Sequence, residues 1–471
     1  MKNKFYITTT LPYVNANPHI GFAKEIIEAD VLARFYRGKL GAENVFFNTG
    51  VDEHGLKIFR KAEELGISPQ DYCDDKAPEF DKLKQALNLS YDHFIRTTDK
   101  NHVEAAQEFW RLCDKSGDIY KKIYKVKYCV GCELEKTDSE LIDGKCPLHP
   151  NAELEIIEEE NYFFRFSKYQ EKLLELFKNN PGFVLPQKRL NEVKSFMERG
   201  LEDFSISRLK SKMPWGVPVP ENDEHVMYVW FDALVNYIST LGWPNNKDNF
   251  EKFWPGFQVC GKDNLRQQSA MWQAMLMSAD LPNSEQIFIN GFITVDGQKM
   301  SKSIGNVISP IEMADKFGID ATRYLLLAGG NFGEDFDITW EKLVEKYNAD
   351  LANGLGNLVS RVIKLSEGGD GIRKEKKAIA DMSSYFSNME LGQGLEFIWN
   401  MISEDNKFIE ENKPWELKKN DQEKFRSVME KLITDLHSIS ELLIPFMPET
   451  SEKIKKALEE GKTEILFQRI R

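Results

Sequence analysis

The strongest constraint on the fold is an alternation of short apolar strands and helices on both sides of a cysteine-rich segment. Before that segment, residues 5–10 and 44–48 have the β-branched and aromatic composition of strands. After it, residues 257–260 and Gln286–Asn290 have the same character, and a helical pattern covers residues 265–277. Strands that alternate with helices form a parallel sheet covered on both faces. The sequence therefore predicts an α/β fold with a doubly wound, Rossmann-type parallel sheet that an insert divides.

The cysteine-rich segment contains two short motifs of metal-ligand type. One is Cys-Val-Gly-Cys at residues 129–132, and the other is Cys-Pro-Leu-His at residues 146–149, thirteen residues further on. Reduced thiols in loops are the alternative interpretation, but paired knuckles at this spacing are a strong indication of zinc. The expected ligands of a structural Cys3His site are Cys129, Cys132, Cys146 and His149.

A basic loop follows the last predicted strand. Asp296-Gly297 predicts a tight turn, and the string Lys-Met-Ser-Lys-Ser occupies residues 299–303. Two lysines at this spacing alone would fit an ordinary solvated loop. The ammonium groups of Lys299 and Lys302 can also neutralise the charge that develops during nucleotidyl transfer.

The first predicted helix begins close to a histidine. Asn17-Pro18 predicts an N-cap and a first helical residue, which places His19 in the first turn. Unpaired N–H groups at a helix N-terminus favour phosphate, and Gly21 allows a flat base to approach the backbone. A plain capping or surface histidine is the alternative reading of His19.

Polar residues follow the second predicted strand. Asp52 stands at its carboxyl end, where open α/β sheets bind ligands, so it is a candidate for binding an α-ammonium group. A solvated turn is the alternative.

From about Tyr347 the pattern becomes helical, and the apolar stripe there predicts a helix bundle. Asn357 and Arg361 are four residues apart and share one face of a helix. Trp415 is as suited to core packing as to stacking on a single-stranded base.

Composition limits the partners and the compartment. The 471 residues carry a formal charge of −13 with a pI near 5.3, which argues against a nucleic-acid partner unless one face is locally basic. The N-terminus has no apolar signal region, and no run approaches the roughly 18 apolar residues of a membrane span. A cytoplasmic protein without membrane contact is expected.

Taken together, these motifs resemble those of the methionyl-tRNA synthetases, a family of class I aminoacyl-tRNA synthetases, over nearly the whole chain. The resemblance rests on the Lys-Met-Ser-Lys-Ser string at residues 299–303, which we call the lysine loop, and on the His-Ile-Gly-Phe turn and the zinc knuckles. It also rests on the strings at residues 51–55, 228–232 and 413–416. It implies an ATP-dependent methionine–tRNA ligase, which makes methionyl-adenylate and then charges the 3′ end of tRNA(Met) for protein synthesis. The chain departs from the family pattern at Phe22, where a histidine is usual, and at Gln268, where a histidine is common.

The resemblance also implies roles for individual residues. The catalytic residues would be His19, Lys299 and Lys302. The ATP-binding residues would be Gly21, Phe22, Gly261, Asp263, Ser301 and Lys302. The methionine-binding residues would be Leu11, Tyr13, Asp52, Trp230, Tyr237 and Gln268. The anticodon-binding residues would be Asn357, Arg361 and Trp415.

Four segments are expected: two halves of the catalytic domain at 1–115 and 216–345, a zinc-binding insert at 116–215, and a helical anticodon-binding domain at 346–471. The insert is too short for a hydrolytic editing domain. The expected cofactors are one structural Zn²⁺ and Mg²⁺ bound with ATP. The expected partners are methionine, ATP and tRNA(Met), and the chain is expected to be a monomer because it lacks a C-terminal dimerisation domain.

Two alternatives remain at this point. One is another class I synthetase without an editing domain, which the aromatic residues Tyr13 and Trp230 disfavour. The other is a degenerate synthetase-like RNA-binding protein, which the intact lysine loop disfavours.

Overall fold

The computed structural model describes residues 3–132, 134–136, 140–300, 305–330, 332–366, 381–462 and 464–471. The α-helices are α1 (Ile20–Leu40), α2 (Leu56–Leu65), α3 (Pro69–Asp81), α4 (Leu83–Ala86), α5 (Lys100–Lys115), α6 (Gln170–Asn179), α7 (Gln187–Glu198), α8 (Val229–Ala233), α9 (Asn236–Ser239), α10 (Lys247–Phe253), α11 (Trp272–Ser278), α12 (Pro310–Phe317), α13 (Ile319–Leu327), α14 (Trp340–Lys346), α15 (Asn357–Ser366), α16 (Ser383–Ser387), α17 (Leu391–Asn412), α18 (Pro414–Asn420), α19 (Gln422–Leu443) and α20 (Pro448–Glu460).

The strands are β1 (Phe5–Thr9), β2 (Val45–Val51), β3 (His93–Arg96), β4 (Ile119–Cys129), β5 (Leu134–Lys136), β6 (Glu155–Phe164), β7 (Val184–Leu185), β8 (Phe204–Ser205), β9 (Ser207–Leu209), β10 (Pro218–Val219), β11 (Asn222–Met227), β12 (Phe257–Gly261), β13 (Gln286–Asn290), β14 (Ile293–Val295), β15 (Gln298–Lys299) and β16 (Phe336–Ile338).

The main sheet has the order β3-β2-β1-β12-β13-β7. Its pairs β2–β3, β1–β12 and β13–β7 are parallel. Strand order reverses between β1 and β12, so the predicted doubly wound parallel sheet is confirmed. Strand β7 comes from the predicted insert, and we did not predict that this segment would supply an edge strand. The insert also forms an antiparallel sheet of order β5-β4-β6-β8.

One predicted strand was partly wrong. The apolar run at residues 227–232 predicts a buried strand that runs into a helix with Tyr237. Instead β11 ends at Met227, and helix α8 already begins at Val229. A short apolar run does not distinguish a buried strand from a buried helix by periodicity. The consequence is that Trp230 lies on a helix.

The predicted helix at 265–277 is present, but it is not uniform. Residues Leu265 and Arg266 are α-helical, Gln267–Met271 form a π-helical turn, and α11 continues the helix from Trp272. Such turns are frequent at functional sites because they change the direction of side chains within a helix.

The chain divides into two compact units. The first unit comprises Met1–Pro18, Phe46–Lys82 and Tyr91–Ile289, and the second comprises His19–Val45, Leu83–Ser90 and Asn290–Arg471. None of the helices in the described ranges combines the length and the apolar composition that a bilayer crossing requires.

Each unit has its own buried centre. In the first, Phe109 and Trp272 stack with their ring centroids 5.5 Å apart inside a large apolar cluster. In the second, the apolar stripe predicted after Tyr347 is buried among α15, α17 and α19. There Arg323 is fully buried, forms an ion pair with Asp30 at 2.8 Å and donates to backbone carbonyls. The predicted helix bundle is therefore confirmed.

Candidate active site

The carboxyl ends of β1 and β2 lie together in the first unit. Tyr13 and Asp52 form an isolated parallel β-bridge, in which the backbone N–H of Asp52 donates to the carbonyl of Pro12 at 3.0 Å. The neighbouring Leu11 is half-buried, and Asp52 is 5% exposed. Three of the predicted methionine-binding residues are thus gathered at the point where the topology favours a ligand.

Asp52 and Glu53 are adjacent carboxylates with different surroundings. Glu53 accepts a hydrogen bond from Arg96 Nε at 2.7 Å and another from Thr98. Burial raises the pKa of Glu53, and its contacts with Arg96 oppose that rise. Asp52 Oδ1 instead accepts from the backbone N–H of His54 at 3.4 Å. Glu53 is therefore held by a guanidinium within the fold. Asp52, which also accepts from the Thr97 hydroxyl at 3.5 Å, lies after the carboxyl end of β2 and is the candidate for a ligand's ammonium group.

Two predicted pocket residues are in direct contact. Gln268 donates through Nε2 to the Tyr237 hydroxyl, and its Oε1 accepts from Gln258 Nε2 at 3.2 Å. Ser284 then donates to Gln258 Oε1 at 2.8 Å. Tyr237 and Gln268 are each 2% exposed. This chain of amides and hydroxyls fixes the orientation of the Tyr237 phenol.

Helix α8, which carries Trp230, also holds one member of a buried pair that the sequence analysis missed. Asp232, two residues after Trp230, lies 2.9 Å from His54 Nδ1, two residues after Asp52. Both side chains are buried, and burial raises the pKa of Asp232 while His54 opposes that rise. The pair joins helix α8 to the loop after β2. The available signal was an aspartate within an apolar run, which requires a buried partner.

Gly261 and Asp263 lie where β12 ends and a 3₁₀ turn begins. Asp263 is exposed, and a Cβ added to Gly261 would lie 2.7 Å from Asp263 Oδ1. Glycine at this position therefore leaves room for the aspartate beside the carboxyl end of the strand.

In the second unit, His19 is the N-cap of α1. The prediction of Asn17 as the cap was wrong, because the chain becomes helical only after His19. His19 Nδ1 accepts from the backbone N–H of Gly21 at 3.0 Å. An accepting Nδ1 puts the proton of the neutral ring on Nε2, so the exposed imidazole presents an N–H donor there.

Gly21 and Phe22 complete the start of this helix. A Cβ on Gly21 would lie 2.8 Å from His19 Cε1, so only glycine leaves the imidazole in place. Phe22 is 8% exposed. The helix N-terminus therefore combines a donor from His19 with the positive end of the helix dipole, an arrangement suited to anions.

The predicted turn at Asp296-Gly297 is confirmed. Both residues have positive φ, 53° and 70°, and they join β14 to β15 in what we call the lysine hairpin, residues 293–299. The N–H of Gly297 donates to Asp337 Oδ1 at 2.6 Å. Lys299 is exposed, and its ammonium lies 4.6 Å from the Phe292 ring centroid. The predicted residues Ser301 and Lys302 lie outside the described residues.

The four predicted metal ligands converge in the first unit, with their donor atoms all within 4.8 Å of one another. Cys132 Sγ lies 3.4 Å from Cys146 Sγ and 3.2 Å from His149 Nδ1. A tetrahedral zinc ion with bonds of about 2.0–2.3 Å requires ligand separations of roughly 3.5–3.8 Å. A Cβ on Gly131 would lie 2.5 Å from the His149 ring, so glycine there keeps the imidazole in the cluster. The cluster can hold a metal ion.

The three predicted anticodon-binding residues lie in the second unit. Asn357 begins helix α15 and is exposed, and Arg361 follows one turn later. The Arg361 guanidinium lies 5.8 Å from the Trp415 ring centroid and forms an ion pair with Glu410 at 2.8 Å. Trp415 is 40% exposed. Of the two interpretations of Trp415, its exposure favours stacking over core packing.

Comparison with known proteins agrees with this geometry. The family model described as tRNA synthetases class I (M) matches residues 5–156 and 139–363. The methionine–tRNA ligase of Thermotoga maritima is 41% identical, over 96% of this chain and 74% of its own length. That of Rickettsia felis is 41% identical, over 100% of this chain and 95% of its own.

A solved structure of Mycobacterium tuberculosis methionyl-tRNA synthetase in complex with methionyl-adenylate has a TM-score of 0.91 and 38% identity, covering 97% of this chain and 93% of its own. The match to the family model and the extent of the similarity lead to one conclusion: the chain belongs to the class I tRNA synthetases (M), the family of the methionine–tRNA ligases.

Proposed function

We propose that the chain is a methionine–tRNA ligase. It activates methionine with ATP to methionyl-adenylate and then transfers the methionyl group to the 3′ end of tRNA(Met). The observation that carries the proposal is the gathering of Tyr13 and Asp52 at the carboxyl ends of β1 and β2, in a chain 41% identical to methionine–tRNA ligases over nearly its full length.

Methionine binding is assigned to the first unit. The Asp52 carboxylate binds the α-ammonium group, and the aromatic rings of Tyr13, Trp230 and Tyr237 receive the side chain. A polarizable thioether makes favourable contacts with aromatic rings. The hydrogen bond from Gln268 orients the phenol of Tyr237. Leu11 supplies an apolar wall to the same pocket.

In the first step, the methionine carboxylate attacks the α-phosphorus of ATP, the bond to the bridging oxygen breaks, and pyrophosphate leaves. The substrate is the nucleophile, so the protein stabilises charge. His19 Nε2–H, the N-terminus of α1 and Lys299 are the groups assigned to that role. Lys302 is assigned to the same role, and Ser301 to ATP binding, from the sequence alone.

Adenosine binding is assigned to four residues in two places. Gly21 gives the base access to the backbone, and Phe22 supplies an aromatic ring beside it. Gly261 and Asp263 follow β12, where the exposed carboxylate can accept hydrogen bonds from ribose.

In the second step, a ribose hydroxyl of the terminal adenosine of tRNA attacks the carbonyl carbon of the adenylate, and AMP leaves. Selection of the tRNA is assigned to Asn357, Arg361 and Trp415. An exposed ring beside a guanidinium suits stacking on an unpaired anticodon base.

The metal cluster is assigned to a structural Zn²⁺. Four protein ligands would leave no open position on a tetrahedral ion, so these residues would hold an ion that supports the antiparallel sheet of the insert rather than one that binds a substrate. Mg²⁺ enters with ATP and neutralises phosphate charge when bound. The four-segment organisation, the monomeric state and the cytoplasmic location remain predictions from the sequence.

Amino-acid-dependent ATP–pyrophosphate exchange tests this function. Methionine, leucine, isoleucine, valine and cysteine are compared in zinc-loaded protein, followed by charging of tRNA(Met). Exchange with methionine alone is expected, and Lys302→Ala is expected to lower its rate with little change in methionine binding. Exchange with another amino acid would overturn the pocket assignment, and no exchange with any of them would favour an RNA-binding protein without ligase activity.

A further inference from the structure

A buried polar triangle lies at the end of β13, three residues before the lysine hairpin begins. Lys24 and Glu28 stand one turn apart on α1, and Asn290 is the last residue of β13. Their exposures are 6%, 3% and 4%. None of these residues was a candidate in the sequence analysis, although two charges one turn apart on an otherwise buried helix were a visible signal.

Each member of the triangle bonds to both of the others. Lys24 Nζ donates to Asn290 Oδ1 at 3.0 Å and to the Glu28 carboxylate. Asn290 Nδ2 also donates to Glu28. Buried charges require such complete pairing, because an ion that loses its partner in a dry site is strongly destabilising. The triangle is therefore a fixed point of the second unit.

Asparagine is the residue type that the third corner requires. Its amide oxygen accepts from the ammonium, and its amide N–H donates to the carboxylate. An aspartate at position 290 would put a second carboxylate against Glu28. An apolar residue would remove a partner from both buried charges.

The triangle lies where the chain leaves β13 and enters the lysine hairpin. Gly291 follows Asn290 directly, and a Cβ there would lie 2.1 Å from the carbonyl oxygen of Glu334, so this backbone is tightly confined. Two residues later β14 begins, and Lys299 lies on the partner strand β15. The position of the Lys299 backbone therefore depends on where Asn290 is held.

The far side of the lysine loop is tied to the same helix. The N–H of Ile20, in the first turn of α1, donates to the carbonyl of Ile308 at 3.2 Å. Asn306 Nδ2 donates to the carbonyl of Lys299 at 3.3 Å. A methyl carbon of Met300 lies 3.8 Å from the point where a Gly21 Cβ would be. Helix α1 thus carries His19 at its start. Its first three turns also contact the chain on both sides of the lysine loop, at Asn290 and at Ile308.

We propose that Lys24, Glu28 and Asn290 are positioning residues for adenylate formation. They fix the lysine hairpin to α1, so that Lys299 and His19 act on the same phosphate charge in the transition state. The proposal rests on the proposed ligase function. Misplacement of a charge-stabilising group by about 1 Å can cost roughly 100-fold in rate, whereas binding of an amino acid in the first unit does not depend on it.

The test exchanges the carboxylate at position 28 and the amide at position 290. Glu28→Gln and Asn290→Asp are made singly and together, and methionine-dependent ATP–pyrophosphate exchange is measured. Each single variant puts like groups face to face, so kcat is expected to fall about 10- to 100-fold while KM for methionine changes less than about twofold. In the double variant the amide at position 28 donates to the carboxylate at position 290, and Lys24 still meets one carboxylate and one amide oxygen. Its kcat is expected to return to within about threefold of the wild-type value.

Asp405→Asn is the matched control. Asp405 is a buried carboxylate of the helical bundle that pairs with Lys431 at 2.8 Å. Removal of its charge should destabilise the fold about as much as removal of the Glu28 charge, but it does not affect the lysine hairpin. Its kcat is expected to be unchanged. Methionine binding, followed by tryptophan fluorescence, and the melting temperature are measured for every variant.

Unchanged kcat in both single variants would overturn the proposal. It would also be overturned by a double variant whose kcat is no higher than that of the less active single variant. Loss of methionine binding together with kcat would overturn it too, because it would indicate a folding role only. Absence of methionine-dependent exchange in the wild-type protein would overturn the ligase function and this inference with it. An active wild-type protein with active single variants would overturn this inference alone.

Discussion

The residues assigned to methionine in the first unit differ in exposure from those assigned to phosphate and tRNA in the second. In the first unit Asp52, Tyr237 and Gln268 are nearly inaccessible and are joined to neighbours by hydrogen bonds. In the second, Lys299 is exposed and Trp415 is 40% exposed. Recognition of a small amino acid requires desolvated, pre-arranged groups. Contact with phosphates and RNA requires accessible charge and an aromatic face.

The difference suggests that the units can be impaired separately. A change in the first unit should alter methionine affinity, and a change in the second should alter the rate of phosphate chemistry or the use of tRNA. The following predictions test that separation, beginning with the largest effect.

Lys299→Ala is expected to lower kcat for ATP–pyrophosphate exchange by about 100- to 1,000-fold, because an ammonium that acts on transition-state charge is lost. KM for methionine should remain near its wild-type value. Lys316→Ala is the matched control, since Lys316 is also exposed and its ammonium also lies 4.6 Å from an aromatic centroid, that of Trp340. Equal rates for the two variants would remove Lys299 from the mechanism.

Asp52→Asn is expected to raise KM for methionine about 100-fold, because the ligand's ammonium group loses its buried counter-charge. The reduction in kcat should be much smaller. Asp118→Asn is the control: Asp118 is a fully buried carboxylate of the first unit that pairs with Lys168 at 2.6 Å, and its replacement should leave KM unchanged. A rise in KM common to both variants would indicate general damage to this unit.

Trp415→Ala is expected to raise KM for tRNA about 10-fold in the charging reaction, because a stacked base contributes about 1–3 kcal/mol. ATP–pyrophosphate exchange without tRNA should not change. Trp415→Phe keeps an aromatic face and should recover most of the loss. An alanine variant with normal tRNA use would return Trp415 to a packing role.

The smallest expected effect is a pair of opposite pH dependences. Burial lowers the pKa of His102 in the first unit to about 3, below the ordinary value of about 6.5, so the unfolded chain binds more protons between these limits. Stability from His102 is therefore lost as pH falls below about 6.5. Burial raises the pKa of Asp405 in the second unit to about 6, against the attraction of Lys431, so the folded chain binds more protons between about 4 and 6. Stability at Asp405 is therefore gained as pH falls through that range.

Between pH 7.5 and 5.5 each effect amounts to about 1 kcal/mol, with opposite signs. Thermal melts of wild type, His102→Asn and Asp405→Asn at both pH values measure them. The His102 variant should lose less stability on acidification than wild type, and the Asp405 variant should lose more. Identical pH dependences in all three proteins would show that neither group titrates differently on folding.

Local sequence determined those features whose physics is local. Spacing predicted that the ligand atoms of Cys129, Cys132, Cys146 and His149 converge, because each knuckle is a short turn and only thirteen residues separate the two. Asp296-Gly297 predicted its turn, since both positions need positive φ. Alternating apolar runs predicted the parallel sheet. The family resemblance supplied the site residues, and their individual roles remain predictions.

Tertiary structure decided what depends on residues far apart in the chain. It placed the start of α1 after His19, whose side chain caps the helix backbone. It also placed β7 at the edge of the main sheet, where it pairs with β13. It paired His54 with Asp232, 178 residues apart, and Lys24 with Asn290, 266 residues apart. Buried charges find partners wherever the fold provides them, and no local pattern encodes that choice. The sequence by itself therefore specified the chemical groups and the sheet, and only the folded chain decided which buried groups hold them in place.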